Sequence, residues 1–197
     1  MVSIDERDFP SVLAAARVGA EWAWTLIYND LSPRVARYLR AHAAPEPDDL
    51  LGDVFVQVVK GLSTFEGDHD EFRAWVLTIA RNRLVDGWRR DRRRPLEPAS
   101  DDLESRSLVG GDAEDEAMVN LSDANVRAIV ARLSLDQRDV LFLRVLIGLP
   151  VQDVAVVVGK TPGAVKSLQS RALAAIRRQI SRGAVSFWLR MALTLLR

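Results

Sequence analysis

Four polar or cationic residues stand close together in the last third of the chain, at the spacing that one helix face requires. They are Lys166, Ser167, Ser170 and Arg171. Residues three or four positions apart share a helix face, and side chains of these types can hydrogen-bond to base edges in the DNA major groove. The intervening positions predict a buried face on the same helix, formed by Val165, Leu168, Ala172 and Ile176.

Residues 133–178 contain the start and stop signals of three short helices. Thr161 and Pro162 predict an N-cap followed by proline at the first helical position, and Gly159 predicts the end of the preceding helix. That helix has Val151, Val154, Ala155 and Val158 at helical spacing; Gly148 predicts the end of an earlier helix, and Pro150 lies near the start of this one. The pattern predicts a helix-turn-helix, although an ordinary three-helix core with a solvated polar face would also satisfy it.

The chain has no net charge, but its charges are strongly segregated. Residues 71–95 hold 8 Lys and Arg against 3 Asp and Glu, and residues 126–197 hold 12 against 3. Residues 1–70 hold 6 against 12, and residues 96–125 hold 1 against 9. Basic blocks of this kind indicate a phosphate-backbone partner, while a solvated surface is the simpler alternative.

Amphipathic periodicity predicts three further helices in the first half of the chain. The first covers residues 20–42, with Trp24, Ile27, Tyr28, Leu31, Val35 and Leu39 on one face. The second begins after Pro47 with Asp48 as N-cap and runs to Leu62, through apolar residues that include Val58 and Val59. The third covers residues 71–91 and ends in a basic stretch that contains Trp88.

Composition divides the chain into two domains. Residues 96–118 are rich in Pro, Ser, Gly and acidic residues and predict a flexible acidic linker. The sequence therefore predicts an all-α protein with two small helical domains, residues 1–95 and 119–181, the second containing the helix-turn-helix. Residues 182–197 form an apolar tail.

Several functional classes lack the residues they need. The chain has no cysteine and only two histidines, His42 and His69, so we expect neither a metal site nor a cofactor, and no enzymatic activity. It shows no signal peptide and no apolar run of the ~20 residues that span a bilayer. We expect a cytoplasmic protein with no membrane span.

Three blocks in this order resemble the sigma factors of bacterial RNA polymerase, and in particular the extracytoplasmic-function (ECF) subgroup. They are DDLLGDVFVQVVKGLSTFEGD, FRAWVLTIARNRLVDGWRR and residues 133–178. The resemblance covers about residues 20–95 and 126–180. It implies a transcription initiation factor that binds core RNA polymerase, directs it to particular promoters and assists their melting.

The resemblance also implies roles for individual residues. The helix that docks on the largest polymerase subunit in the family matches Asp49, Leu50, Asp53, Val54 and Phe55. The segment that opens the minus-ten promoter element, with a loop at 64–70 for a flipped base, matches Phe65, Gly67, Asp68, Arg73, Arg81, Asn82, Arg89 and Arg90. The helix that reads the minus-thirty-five element matches Thr161, Lys166, Ser167, Ser170 and Arg171.

The expected partners are core RNA polymerase, promoter DNA and an anti-sigma factor. Within the minus-ten segment, Asp86 is expected to hold a neighbouring arginine, and Trp88 either packs or stacks on a base. The alternative function is a stand-alone helix-turn-helix regulator whose N-terminal domain senses a ligand or dimerises. That alternative leaves the residue 48–55 block and the basic end of the third helix unexplained.

Overall fold

The computed structural model describes residues 4–93, 126 and 128–180, and these contain helices and turns but no strand. The all-α fold predicted from the sequence is confirmed. Contacts between residues divide the chain into two compact units. One comprises residues 1–94 and 139–166, and the other comprises residues 95–138 and 167–197.

Four helices and a short 3-10 turn form the N-terminal part of the first unit. They are α1 (Phe9–Arg17), α2 (Glu21–Ala41), α3 (Pro47–Gly61), the 3-10 turn Leu62–Thr64 and α4 (His69–Arg93). Pro10 stands in the first turn of α1, where its missing N–H costs no hydrogen bond. Helix α2 continues through Pro33 as one helix.

The apolar faces of these helices meet in one core. Ile27, Val54, Phe72 and Leu84 are fully buried, as is Phe9 from α1. Tyr28, which was expected on the apolar face of α2, is instead 47% exposed. Tyr28 lies over the ring of Phe55, with centroids 4.7 Å apart, so an aromatic pair at the surface replaces the expected core contact.

The start of α3 differs from the sequence prediction. Asp48 is not the N-cap, because the helix begins at Pro47 and the preceding Glu46 has a left-handed backbone with φ of 45°. Asp48 lies within the first helical turn, where Arg40 Nη2 donates to its Oδ1 at 2.9 Å. An acidic residue there still interacts favourably with the helix dipole.

Residues 135–180 form the predicted helix-turn-helix, built from α5 (Leu135–Val145), α6 (Val151–Val158) and α7 (Pro162–Ile180). Gly159 ends α6 with φ of 66°, in the left-handed region that glycine adopts without strain. The Ala164 N–H then donates to Thr161 Oγ1 at 3.2 Å, which confirms Thr161 as the N-cap of α7. Within the first unit, α6 packs against α4.

The second unit has its own buried apolar residues in the part that the structure describes. They are Ile129, Leu133, Leu168, Ala172 and Ile176. The last three, together with Val165, were predicted as the inward face of α7, and all four are buried. Near the end of α7, Gln179 Nε2 donates to the Ile129 carbonyl at 3.5 Å.

The predicted acidic linker and apolar tail lie outside the described residues. No helix within residues 4–93 and 128–180 combines the length and the hydropathy needed to cross a membrane.

Gly61 gives a direct test of packing at the end of α3. A Cβ at this position would lie 2.7 Å from Trp75 Cζ2, and the Trp75 ring itself packs against the rings of Phe65 and Phe72, with centroids 5.2 and 5.6 Å away. We expect Gly61→Ala to lower the free energy of unfolding by about 1–3 kcal/mol through overpacking. Chemical denaturation followed by tryptophan fluorescence measures this change.

The matched control is Gly52→Ala in the same helix, where a Cβ would have no neighbour within 4 Å. Alanine there should stabilise the protein by up to about 1 kcal/mol, because it lowers the entropy cost of forming the helix. Equal effects of the two substitutions would contradict the contact between Gly61 and Trp75.

Candidate nucleic-acid interface

Helix α7 presents the polar face predicted from its sequence. Lys166, Ser167, Ser170 and Arg171 are all exposed, as is Thr161 at the cap. Arg171 Nε donates to the Ser167 carbonyl at 3.3 Å, which keeps the guanidinium along the helix surface. The predicted contact residues of this helix therefore share one accessible surface.

The predicted DNA-contacting residues of α4 fall into two groups. Asn82, Arg89 and Arg90 are exposed. Arg89 Nη1 lies 3.5 Å from Asp86 Oδ1, and Arg90 Nε donates to the Asp86 carbonyl at 3.4 Å. Asp86 thus holds a neighbouring arginine, as predicted. Arg81 belongs to the other group, since its side chain is only 18% exposed.

Arg81 is engaged by a buried carboxylate that sequence reasoning did not identify. Asp139 of α5 has no exposed surface, and Arg81 Nε donates to its Oδ2 at 2.7 Å. The Tyr38 hydroxyl donates to Asp139 Oδ1 at 2.6 Å, and His42 Nε2 lies 3.1 Å from the same oxygen. We call these four residues the Asp139 cluster.

Burial and the contacts within the Asp139 cluster shift the pKa values of two of its members, Asp139 and Tyr38. Burial on its own would raise the pKa of Asp139, but the contacts with His42 and Tyr38 and the charge of Arg81 outweigh it, so this pKa is lowered. Burial, followed by the negative charge of Asp139, raises the pKa of the Tyr38 hydroxyl well above its usual value. Tyr38 therefore stays a donor, and Asp139 stays ionised near neutral pH.

Arg73 also has a carboxylate partner inside the protein. Its Nη1 donates to Asp70 Oδ1 at 2.9 Å, and its side chain is 18% exposed. Asp153 of α6 belongs to the same electrostatic environment. Burial and the charge of Asp70 raise the pKa of Asp153, while Arg73 acts in the opposite direction. Two of the predicted DNA-contacting arginines are therefore already paired with carboxylates.

The loop before α4 is short and strongly constrained. Phe65 is 8% exposed, and its ring lies 5.1 Å from Phe72. The Glu71 N–H donates to Asp68 Oδ1 at 2.8 Å, and the Asp68 N–H donates to Glu71 Oε2 at 2.9 Å. This is a capping box, so α4 begins at His69 rather than at Glu71. Around the buried Phe65, the loop residues Ser63, Thr64, Glu66, Gly67 and Asp68 are exposed.

Helix α3 separates the predicted polymerase-binding residues into two sets. Leu50 and Val54 are buried in the core and Phe55 is half-buried, whereas Asp49 and Asp53 are exposed. Val56 and Val59 on the same helix are also exposed, at 49% and 56%. The accessible surface thus combines two carboxylates with apolar side chains, a mixture typical of protein interfaces.

The two histidines and Trp88 all have partners inside the fold. His69 Nε2 lies 3.0 Å from the buried Asp30 Oδ2, and the half-buried Trp88 ring lies 5.9 Å from the His42 ring. No grouping of three or more potential metal ligands occurs in the described ranges.

Comparison with protein families gives two matches. Residues 27–94 match the model of sigma-70 region 2, and residues 123–176 match a model of sigma-70 region 4. The first match covers most of α2 and all of α3 and α4, and the second covers α5, α6 and most of α7. Residues 27–94 are those that the alternative regulator would assign to sensing or dimerisation.

Individual proteins are similar over most of the chain. The ECF RNA polymerase sigma factor BldN of Streptomyces coelicolor is 32% identical over 88% of this chain and 66% of its own length. ShbA of Streptomyces griseus, also an ECF sigma factor, is 30% identical over 74% of this chain and 81% of its own length. The solved structure of CnrH in complex with the cytosolic domain of CnrY has a similar fold, with a TM-score of 0.66, 22% identity and coverage of 88% and 97%.

The Asp139 cluster generates a stability prediction. Asp139→Asn removes the charged partner of Arg81, and breaking such a buried pair costs about 3–5 kcal/mol. Because the folded-state pKa of Asp139 is lowered, its contribution is complete above the unfolded value of about 3.9 and is lost as pH falls through the folded value. Urea unfolding at pH 7, and then along an acidic series, should show the difference between wild type and Asp139→Asn shrinking below about pH 4.

Asp86→Asn is the matched control, because Asp86 also pairs with an α4 arginine but its side chain is 51% exposed. An exposed pair of this kind contributes about 0–1 kcal/mol. If Asp139→Asn cost no more than Asp86→Asn, the Asp139 cluster would not stabilise the fold.

Proposed function

This chain belongs to the extracytoplasmic-function sigma factors of RNA polymerase, and from that premise we propose that three of its surfaces divide the work of transcription initiation. One binds core polymerase, one opens the minus-ten element and one reads the minus-thirty-five element. The supporting observation is that one chain carries both a region 2 match on α2–α4 and a region 4 match on α5–α7. A regulator that acts without polymerase would not need the region 2 segment on α2–α4.

Core polymerase binds to the exposed side of α3. Asp49 and Asp53 lie one helical turn apart, and both are exposed, so they suit a basic partner surface. The exposed Val56 and Val59 and the pair formed by Tyr28 and Phe55 add apolar area beside them. Leu50 and Val54 act indirectly, because their burial holds the backbone that presents the two carboxylates.

The minus-ten element binds along α4 and the loop before it. Asn82 offers both a donor and an acceptor to an unstacked base, and Arg89 and Arg90 are exposed to phosphates. Arg73 and Arg81 can also bind phosphates, but only if each one leaves its carboxylate partner. For Arg81 this means separation from Asp139, so promoter binding by Arg81 requires the first unit to open at α5.

The minus-thirty-five element binds to α7. Lys166 and Arg171 supply cations and long donors, while Ser167 and Ser170 are short enough to allow a close approach to base edges. Thr161 caps the helix by accepting the Ala164 N–H, and the positive end of the helix dipole at this N-terminus favours a phosphate.

The functional division of the chain follows the two family matches. Residues 1–95 bind polymerase and the minus-ten element, and residues 119–181 bind the minus-thirty-five element. The acidic residues 96–118 connect them and, by their charge, suit a basic channel of the polymerase. The chain acts in the cytoplasm, where it has no catalytic activity of its own. Its regulator is an anti-sigma factor, a proposal supported by the similar fold of the sigma factor RpoE, which was solved in complex with the anti-sigma factor NepR.

Reconstitution tests the proposal directly. The purified chain is mixed with core RNA polymerase, analysed by size-exclusion chromatography, and then used for transcription from genomic fragments. We expect co-elution in the absence of DNA and transcription that starts at a limited set of promoters. Binding to DNA without any binding to core polymerase would support the regulator instead.

Charge reversal tests the polymerase-binding surface. We expect Asp49→Arg with Asp53→Arg to weaken binding to core polymerase by at least about tenfold, because like charges would then face each other across the interface. Titration of labelled protein with core polymerase measures the affinity, and circular dichroism checks that the helices are retained. The control, Glu6→Arg with Glu21→Arg, reverses two other exposed carboxylates. Equal binding by both double variants would remove α3 from the docking surface.

Alanine substitutions test the reading of the minus-thirty-five element. Lys166→Ala and Arg171→Ala should each reduce discrimination between promoter and mutated minus-thirty-five sequences by about 1–3 kcal/mol. Binding to a panel of single-base variants provides the measurement, with Arg178→Ala at the end of the same helix as control. A uniform loss across all sequences would identify a phosphate contact, and no loss for either variant would show that α7 is misplaced.

A further inference from the structure

We propose that Arg17 is a positioning residue that holds the loop at residues 62–68 in the shape that receives an unstacked base. The inference rests on the proposed function, in which this loop takes part in opening the minus-ten element. Arg17 lies ahead of the region 2 match, which begins at residue 27. Its role follows from its contacts in the structure.

Arg17 reaches the loop across a long sequence separation. Its Nε donates to the Leu62 carbonyl at 3.3 Å, and its Nη2 donates to the Phe65 carbonyl. These carbonyls flank the 3-10 turn, and the Leu62 carbonyl also accepts the Phe65 N–H at 3.3 Å. A planar guanidinium that binds two carbonyls sets the orientation of both peptide planes, which a single ammonium group cannot do.

The helix that carries Arg17 is firmly anchored. Val12, Leu13 and Ala16 are buried, and the buried Phe9 ring lies 5.3 Å from that of Phe72 in α4. The Trp24 indole N–H donates to the Ala16 carbonyl at 3.1 Å, next to Arg17 in sequence. Arg17 therefore connects the loop to a rigid element.

The loop is also fixed at its other end, by the capping box of Asp68 and Glu71. Between the two ends, Gly67 has φ of 154°, and a Cβ there would lie 2.7 Å from Glu71 Oε2. The exposed backbone of Glu66 and Gly67 is thus held from both sides. A loop fixed before binding loses less conformational entropy when it receives a base, which increases affinity.

The test measures dependence on the captured base. The probe is a fluorescent single strand that covers the minus-ten element of a promoter opened by the wild-type protein, with one abasic site placed at each position in turn. Full-length variants bound to core polymerase are titrated with each strand. Stacking or pocket contacts with one base change affinity by about tenfold or more, so wild type should lose about tenfold at the captured position.

Arg17→Gln should bind the intact strand about tenfold more weakly and lose less than twofold on removal of that base. Arg17→Lys keeps the charge but not the two-carbonyl geometry, and should resemble Arg17→Gln. Arg7→Gln removes an arginine that is 92% exposed and should match wild type. Thermal unfolding is measured alongside, because a purely stabilising role would lower the unfolding temperature and weaken binding to all strands equally.

If removal of the captured base weakens strand binding by Arg17→Gln as much as it weakens binding by wild type, the positioning role is wrong. A wild-type protein that tolerates every abasic site would overturn base capture by this loop, and the Arg17 proposal with it. The first result leaves the loop's part in the proposed function intact, so the two failures can be distinguished.

Discussion

The buried carboxylate of Asp139 is the strictest constraint in the first unit. An ionised carboxylate without exposed surface is tolerated only where donors replace the water that it has lost. Here the donors come from α2 and α4, through Tyr38 and Arg81. A shift of either helix along its axis would leave a buried charge unpaired, so this cluster determines the register of α2, α4 and α5 in a way that apolar packing alone does not.

Helix α4 has two sides, one that packs in the core and one that is exposed, and the pairing of Arg81 with Asp139 lies between them. Phe72, Val76 and Leu84 bury one side of this helix in the core, while Asn82, Arg89 and Arg90 extend from it into solvent. Arg81 lies between these roles, because its charge satisfies Asp139 although its position suits a phosphate. A cation that serves the fold in one state can serve a ligand only if that ligand replaces the carboxylate. DNA phosphate is another oxyanion with which an arginine can pair, but Asp139 must then gain water or other donors in place of Arg81.

Local chemistry explains how much the sequence could predict. Gly159, Thr161 and the apolar spacing of α6 and α7 act over fewer than ten residues, and the helix-turn-helix follows from them. The Asp139 cluster could not be predicted in this way, because Tyr38 and Asp139 are 101 residues apart and periodicity carries no information about such pairs. The start of α4 is different: apolar periodicity alone predicts a start at Glu71, whereas the capping box of Asp68 and Glu71, which is visible in the sequence, gives the true start.

The start of α3 shows how tertiary contacts override a local preference. Asp48 has the right chemistry for an N-cap, but Pro47 suits the first turn and Arg40 offers an ion pair to an aspartate placed one residue inside the helix. Once the helix begins at Pro47, Asp49 and Asp53 face solvent while Leu50 and Val54 face the core. The burial of Leu50 and Val54 against the core thus determines which residues of α3 a partner can reach. The surface expected to meet polymerase is therefore set by contacts made on the opposite side of the helix.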